Sequence, residues 1–293
     1  MRALAEKLIH FWYTPGDERS YALVRIGYGI AALVTWASLF PDRHQYFSSV
    51  GMKVSMPTAH FLPAWYGRVF ELFDAPEATT AIFLFGGCSL ICLIFGIFSR
   101  LAVFGSYLWV CAYSFAISPA YSAQDDIFCA FGFLLLISPL GRVWSVDRLL
   151  FGGRSASSSV PSYGLKLMRL QLIVIYLTTV SLKLQDPHWR DGTVVPYFYL
   201  SLYSRISTPL IAHYASFLTF ITYSALVIEG VIPFLLAIRR TRILGLILGV
   251  SFHLLIGVTS VLTELSLAMI ICYFAFVEPA TWSPLSARRR SVQ

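Results

Sequence analysis

The chain has 293 residues, of which 57% are hydrophobic and only 13% charged, and its mean hydropathy is +0.69. That excess of apolar surface excludes both a cytosolic globular domain and a disordered chain. The net charge of +7 is scattered among loops with no nucleic-acid-binding motif, so nucleic acid is not an expected partner and membrane lipid is.

In chain order, Leu4, Leu8, Ile9, Phe11 and Trp12 interleave with Arg2, Glu6 and Lys7. This predicts an amphipathic helix lying on the inner membrane surface, within a leading segment 1–20. No cleavable signal peptide is expected, because the first apolar run begins late and lacks a small-residue cleavage site. Crossing a hydrocarbon core of ~30 Å takes ~20 apolar residues. Apolar runs predict eight helices, near 22–41, 79–98, 101–118, 126–141, 167–184, 215–238, 243–260 and 263–277. The fold class is therefore all-α, a polytopic transmembrane bundle occupying 21–280 with short interfacial helices. Gly152-Gly153-Arg154-Ser155 begins a flexible linker near 152–164 between two four-span halves, and 281–293 is a basic tail.

Lys and Arg collect on the cytoplasmic side of a membrane. With eight spans, one side holds 15 of them, including Arg2, Arg100, Arg142, Arg239 and Arg288, against 5 on the other. Both termini are expected in the cytoplasm. The five cysteines sit in apolar runs without zinc spacing, and read as small buried hydrophobes; no metal is expected.

Ionisable groups at membrane depth are costly and mark functional positions. Arg25 lies one turn into the first span, near enough to the interface to snorkel. Glu229, beside Gly230 and Pro233, stands mid-span and needs a partner, for which Arg25 and Arg169 are the candidates; a structural tie and a proton-handling role are equally open. His253 is alone in the seventh span. Lys183 closes the fifth, where it reads either as an interfacial lysine or as a half-buried general base. Topology gathers Lys183, Asp125 and Asp126 opening the fourth span, Glu264 opening the eighth, and His253 on the outer side. The outer loop around Trp189 carries turn-forming Asp-Pro and Asp-Gly pairs. Tyr197, Tyr199, Tyr203 and Tyr214, with Trp65, Tyr66, Tyr46 and Phe47, suit an interfacial belt or a platform for a flat ring.

Several short stretches carry a resemblance: Leu23-Val24-Arg25-Ile26 with Gly29; Gly96-Ile97-Phe98-Ser99-Arg100; Trp144-Ser145-Val146-Asp147; Arg169-Leu170-Gln171, Tyr176 and Lys183-Leu184; Trp189-Arg190-Asp191-Gly192-Thr193; Glu229 with Pro233; and Phe252-His253. In order and spacing the chain resembles the HTTM superfamily, the membrane domain shared by vitamin K-dependent gamma-glutamyl carboxylases and many bacterial proteins. In those carboxylases a base at the lumenal membrane edge deprotonates vitamin K hydroquinone, whose reaction with oxygen yields the base that abstracts the glutamate proton before carbon dioxide adds.

The resemblance implies that Lys183 is that base, and the topology adds Asp125, Asp126 and His253 beside it as further catalytic candidates. Trp189, Tyr176 and Glu264 would line the cofactor, a reduced quinone of the vitamin K type. Two departures are visible. The Lys183-to-Trp189 segment is one residue longer than in animal carboxylases, and Ala123-Gln124-Asp125-Asp126 stands where they have Asn-His-Ser-Tyr, so their assisting histidine is missing. The large lumenal portion that grips protein substrates is not expected either. The leading expectation is an integral membrane protein that binds a quinol or similar lipid-soluble ring near Lys183, with carboxylase-related chemistry on a small or peptide substrate left open. A non-catalytic scaffold or assembly partner is the alternative, and a small-molecule transporter the third.

Overall fold

A backbone in hydrocarbon must satisfy its own polar groups, so each long apolar run closes into a helix. The computed structural model describes residues 2–51, 71, 73–116, 122–151, 160–206 and 213–278. Among them are thirteen α-helices and one two-stranded ribbon. The helices are α1 (Arg2–Tyr13), α2 (Glu18–Leu39), α3 (Arg43–Phe47), α4 (Pro76–Phe95), α5 (Ser99–Ala116), α6 (Ala123–Leu136), α7 (Val146–Phe151), α8 (Tyr163–Gln185), α9 (Pro187–Arg190), α10 (Val194–Leu200), α11 (Ala215–Ala237), α12 (Arg242–Thr259) and α13 (Thr263–Cys272), with a 3-10 turn at Tyr273–Phe276.

Each of the eight expected runs is helical. Five helices, α2, α4, α8, α11 and α12, are long and apolar enough to cross a membrane. The expected runs near 126–141 and 263–277 prove shorter, at 14 residues in α6 and 10 in α13, which the 3-10 turn extends. The protein is an all-α integral membrane protein. The expected tail and most of the linker lie outside the described residues, as do Trp65 and Tyr66 of the expected belt.

The chain divides into two units, Met1–Leu165 with Glu278–Gln293, and Lys166–Val277. In the first, α2 packs on α4, α4 on α5 and α5 on α6. Phe47, expected in the belt, is instead fully buried against Phe73 and Phe83. The cysteines also depart from expectation, since only Cys272 is buried and Cys88 is exposed. The ribbon pairs Pro15–Gly16 with Val160–Pro161, and fixes the end of α1 to the segment entering α8.

Two charged groups of this unit, Arg25 and Asp147, build a clasp at the end of α4. Arg25, fully buried on α2, donates to the carbonyls of Leu93, of Ile94 at 2.9 Å and of Trp144 at 2.6 Å. These carbonyls include orphans of the helix end, where a cation is favourable. The Asp147 carboxylate accepts from the backbone N–H groups of Phe98 and Ser99, both at 2.7 Å, and so caps α5. Burial pushes the Asp147 carboxyl up, but these hydrogen bonds and the field of Arg25 outweigh it and hold the group below its usual range. The backbone turns sharply here: Gly96, Phe98, Gly141 and Trp144 all have positive φ. At Gly96 a side chain would strike Arg25 and Ser145.

In the second unit α11 packs on α12 and α12 on α13, while the short α10 lies against α11. Gly245, Gly249 and Gly257, on one face of α12, let neighbouring groups approach closely: the backbone of α11, Tyr273 and Ser266 respectively.

Candidate functional site

The polar cluster of the second unit is built from the end of α8 and the middle of α11. Lys183 Nζ donates to both carboxylate oxygens of Glu229, at 2.6 and 2.5 Å. The lysine side chain is 25% exposed and the glutamate 10%, so the pair is largely but not wholly withdrawn from its surroundings. Proline four residues after Glu229 removes the amide that would bond to the Glu229 carbonyl, and loosens the helix at the carboxylate. Neither Arg25 nor Arg169 partners Glu229, contrary to expectation. Arg25 is held in its own clasp, and Arg169 donates to the Ala275 carbonyl at 2.7 Å and lies over the Phe276 ring.

The Lys183 ammonium also sits 4.5 Å from the centre of the Trp189 ring, within cation–π range. The loop carrying Trp189 is built to hold it there. Asp186 caps α9 by accepting from the His188 N–H, with Pro187 at the first helical position. After α9, Asp191 accepts from the N–H and hydroxyl of Thr193, which hold its carboxyl below the usual carboxylate range. The loop is then pinned to α11. Thr222 donates to the Gly192 carbonyl at 3.0 Å and accepts from Val195 N–H, and Tyr223 donates to the Arg190 carbonyl. Gly192, at positive φ, packs so close to Thr219 and Tyr223 that a side chain would collide.

Two turns before Lys183 on α8, Tyr176 begins a second cluster. Its hydroxyl is 2.7 Å from His253 Nε2 and in hydrogen-bond contact with the Tyr273 hydroxyl. All three groups are buried, and His253 Nδ1 is buried without a hydrogen-bond partner among the described residues. The two clusters are neighbours, since the charge of Lys183 acts on His253 and that of Glu229 on Tyr176 and Tyr273. Gly249, one turn before His253, leaves the room that the Tyr273 ring fills.

Lys183, Trp189, Tyr176 and His253 are therefore brought together with Glu229 in one unit. The remaining expected residues are placed otherwise. Asp125 is buried in the first unit, where it accepts from Tyr113 at 2.7 Å and completes a capping box with Ser122 at the start of α6. Asp126 beside it is exposed. Glu264 is half-buried in the first turn of α13, and no hydrogen bond or ion pair among the described residues joins it to Lys183, Glu229 or His253.

Tyr273 escaped the sequence reading because tyrosines at the ends of apolar runs read as interface residues. The signal available was a pair of small residues, Gly249 and Gly257, flanking His253 at one turn on either side. Among the described residues no cluster of His, Cys, Asp and Glu could hold a metal ion.

The HTTM domain family model matches residues 13–282, nearly the whole chain. No curated protein and no solved structure matches it.

Proposed function

The chain belongs to the HTTM domain family, and from that premise we propose that its second unit binds a reduced quinone-type ring and takes up the ring hydroxyl's proton on the Lys183–Glu229 pair. The observation that carries this reading is the pair itself, an ammonium bridged by a carboxylate and backed by the Trp189 face. The residues suit such a ring. Trp189 offers a flat apolar face, Leu182 and Leu184 are exposed apolar flanks, and the pair supplies a polar end. Sites for lipid-soluble ligands combine a mostly apolar lining with a few convergent polar groups in this way. When bound, a reduced quinone would supply an ionisable hydroxyl and reducing electrons.

Within this reading the pair acts as a unit. Both carboxylate oxygens accept from the Lys183 nitrogen and keep further lone pairs, so in this reading the incoming proton goes to Glu229. Where the lysine proton has first passed to Glu229, the amine takes the incoming proton instead. Trp189 positions the amine, and the Thr222 and Tyr223 anchors hold Trp189. The downstream step in this reading is a carboxylase-related transfer to a small or peptide substrate, on the outer side of a bacterial inner membrane with both termini cytoplasmic.

The experiment is binding of a short-chain reduced quinone to the purified protein, and its protein-dependent oxidation by dissolved oxygen. Activity should be lost in both Lys183→Ala and Glu229→Gln. Wild-type protein that neither binds nor oxidises the probe overturns the proposal.

A second reading is favoured by one specific observation, that Lys183 and Glu229 satisfy each other. In it the pair is a structural tie in a non-catalytic scaffold, and Glu229→Gln lowers thermal stability without touching any ligand.

A further inference from the structure

Three protons and two hydrogen bonds are shared among Tyr273, Tyr176 and His253, and counting them fixes their direction. A buried imidazole without a carboxylate partner is neutral, with one N–H and one bare nitrogen. If Nε2 carried the proton and donated to Tyr176, then Tyr176 would donate to Tyr273. The Tyr273 proton and the Nδ1 lone pair would both lack partners. If instead Tyr273 donates to Tyr176 and Tyr176 to Nε2, only one polar atom is left over, the Nδ1 proton. Buried polar groups without partners are costly, so the second arrangement prevails. It leaves one unmatched N–H, on a residue 6% exposed, in the unit that also holds the Lys183–Glu229 pair.

We propose that His253 Nδ1–H is a ligand anchor, donating to an acceptor oxygen of the lipid-soluble ring, and that Tyr176 and Tyr273 are positioning residues that lock the tautomer able to do so. The inference rests on the quinone-site reading and adds to it a preference. A quinone carbonyl accepts this proton and brings none of its own, so the oxidised ring is the form His253 holds. The reduced ring, whose hydroxyl gives up its proton, belongs at the carboxylate of Glu229. One site then has two polar ends, each matched to a different oxidation state.

The test uses full-length protein in detergent, with menadione as the probe and methylnaphthalene, the same ring system without oxygens, as its control. An Asn amide nitrogen stands near the Nδ1 position of histidine, and a Gln amide nitrogen near Nε2. His253→Gln should therefore weaken menadione binding about tenfold, the loss of one hydrogen bond of ~1.4 kcal/mol. It should leave methylnaphthalene unchanged. His253→Asn should bind menadione within about threefold of wild type, since its donor is retained. Thermal midpoints of both variants identify any that fail to fold.

A second measurement needs no altered ligand site. Nitrogen NMR of histidine-labelled wild type, with His253→Asn assigning one signal among the six histidines, should show the proton on Nδ1 before ligand is added. A proton on Nε2 overturns the proposal. So does a Gln variant that binds menadione as tightly as wild type, since water alone would then meet the Nδ1 proton. Menadione binding that requires Lys183 but not the Nδ1 donor sinks this inference and spares the quinone site. Wild type that binds a reduced quinone but not menadione likewise sinks only this inference, and wild type that binds neither form sinks both.

Discussion

The clasp around Arg25 and the pair at Lys183 both withdraw a cation into the protein, and they do so in opposite ways. Arg25 is spent entirely on backbone carbonyls at the end of α4 and in the turn before α7, and Asp147 is spent on backbone N–H groups. Each ion there terminates a helix or a turn, and both belong to local architecture. Lys183 and Glu229 instead spend themselves on each other, side chain to side chain, 46 residues apart, with a ring face as the third contact. Removing the first set leaves backbone groups stranded. Removing the second leaves every helix end satisfied and disturbs only the pair and its ring contact. Ions committed to backbone build local turns, whereas ions committed to one another tie one helix to another.

The largest expected effect falls on the clasp. Arg25→Met strands the Leu93, Ile94 and Trp144 carbonyls, and should cost about 3–5 kcal/mol, read as a fall in the thermal midpoint in detergent or as loss of folded protein. A midpoint near wild type would break the comparison. Next comes Glu229→Gln, which leaves a half-buried ammonium without its carboxylate, at roughly 1–3 kcal/mol. Adding Lys183→Met to that variant should restore part of the loss, because the stranded charge goes with it. A double variant less stable than Glu229→Gln alone would show that the pair holds helices together in its own right.

Asp147→Asn keeps the shape of the cap but loses its charge, for about 1 kcal/mol. The Asp147 carboxyl is held below its usual range in the fold, so its contribution is present above the unfolded carboxylate range and is lost as pH falls through the lower folded value. The wild-type advantage over the Asn variant should therefore shrink on acidification across that window. A constant gap would refute the sign. The smallest effect is a gain. Phe98 is exposed and holds positive φ, a conformation Asn tolerates better, so Phe98→Asn should raise stability by up to ~1 kcal/mol in the same melts.

Much of this architecture was legible in the sequence. Apolar runs interrupted by charge and proline mark helices whatever their surroundings, and all eight were found. The Ser122-x-x-Asp125 spacing likewise contains the capping box, although an acidic pair opening a span suits chemistry equally well. What periodicity does not encode is depth. Lys183 stands at a helix end and Glu229 in mid-helix, so topology alone placed them at different levels and assigned Glu229 to an arginine. The long lysine side chain closes that difference, its Nζ lying 2.6 and 2.5 Å from the Glu229 carboxylate oxygens. Tyr273 stayed hidden for a related reason, since its meaning lies in which hydroxyl it touches.

Completion of the Tyr273–Tyr176–His253 chain depends on position 249, which bears no functional group. One additional carbon there would occupy the volume of the phenol, turn it out, and release the tautomer that Tyr176 enforces. The hydrogen-bonded chain would then be lost with no change in any acid, base or aromatic residue. A lineage could keep Tyr176, His253 and Tyr273 and still have taken the contact between them apart.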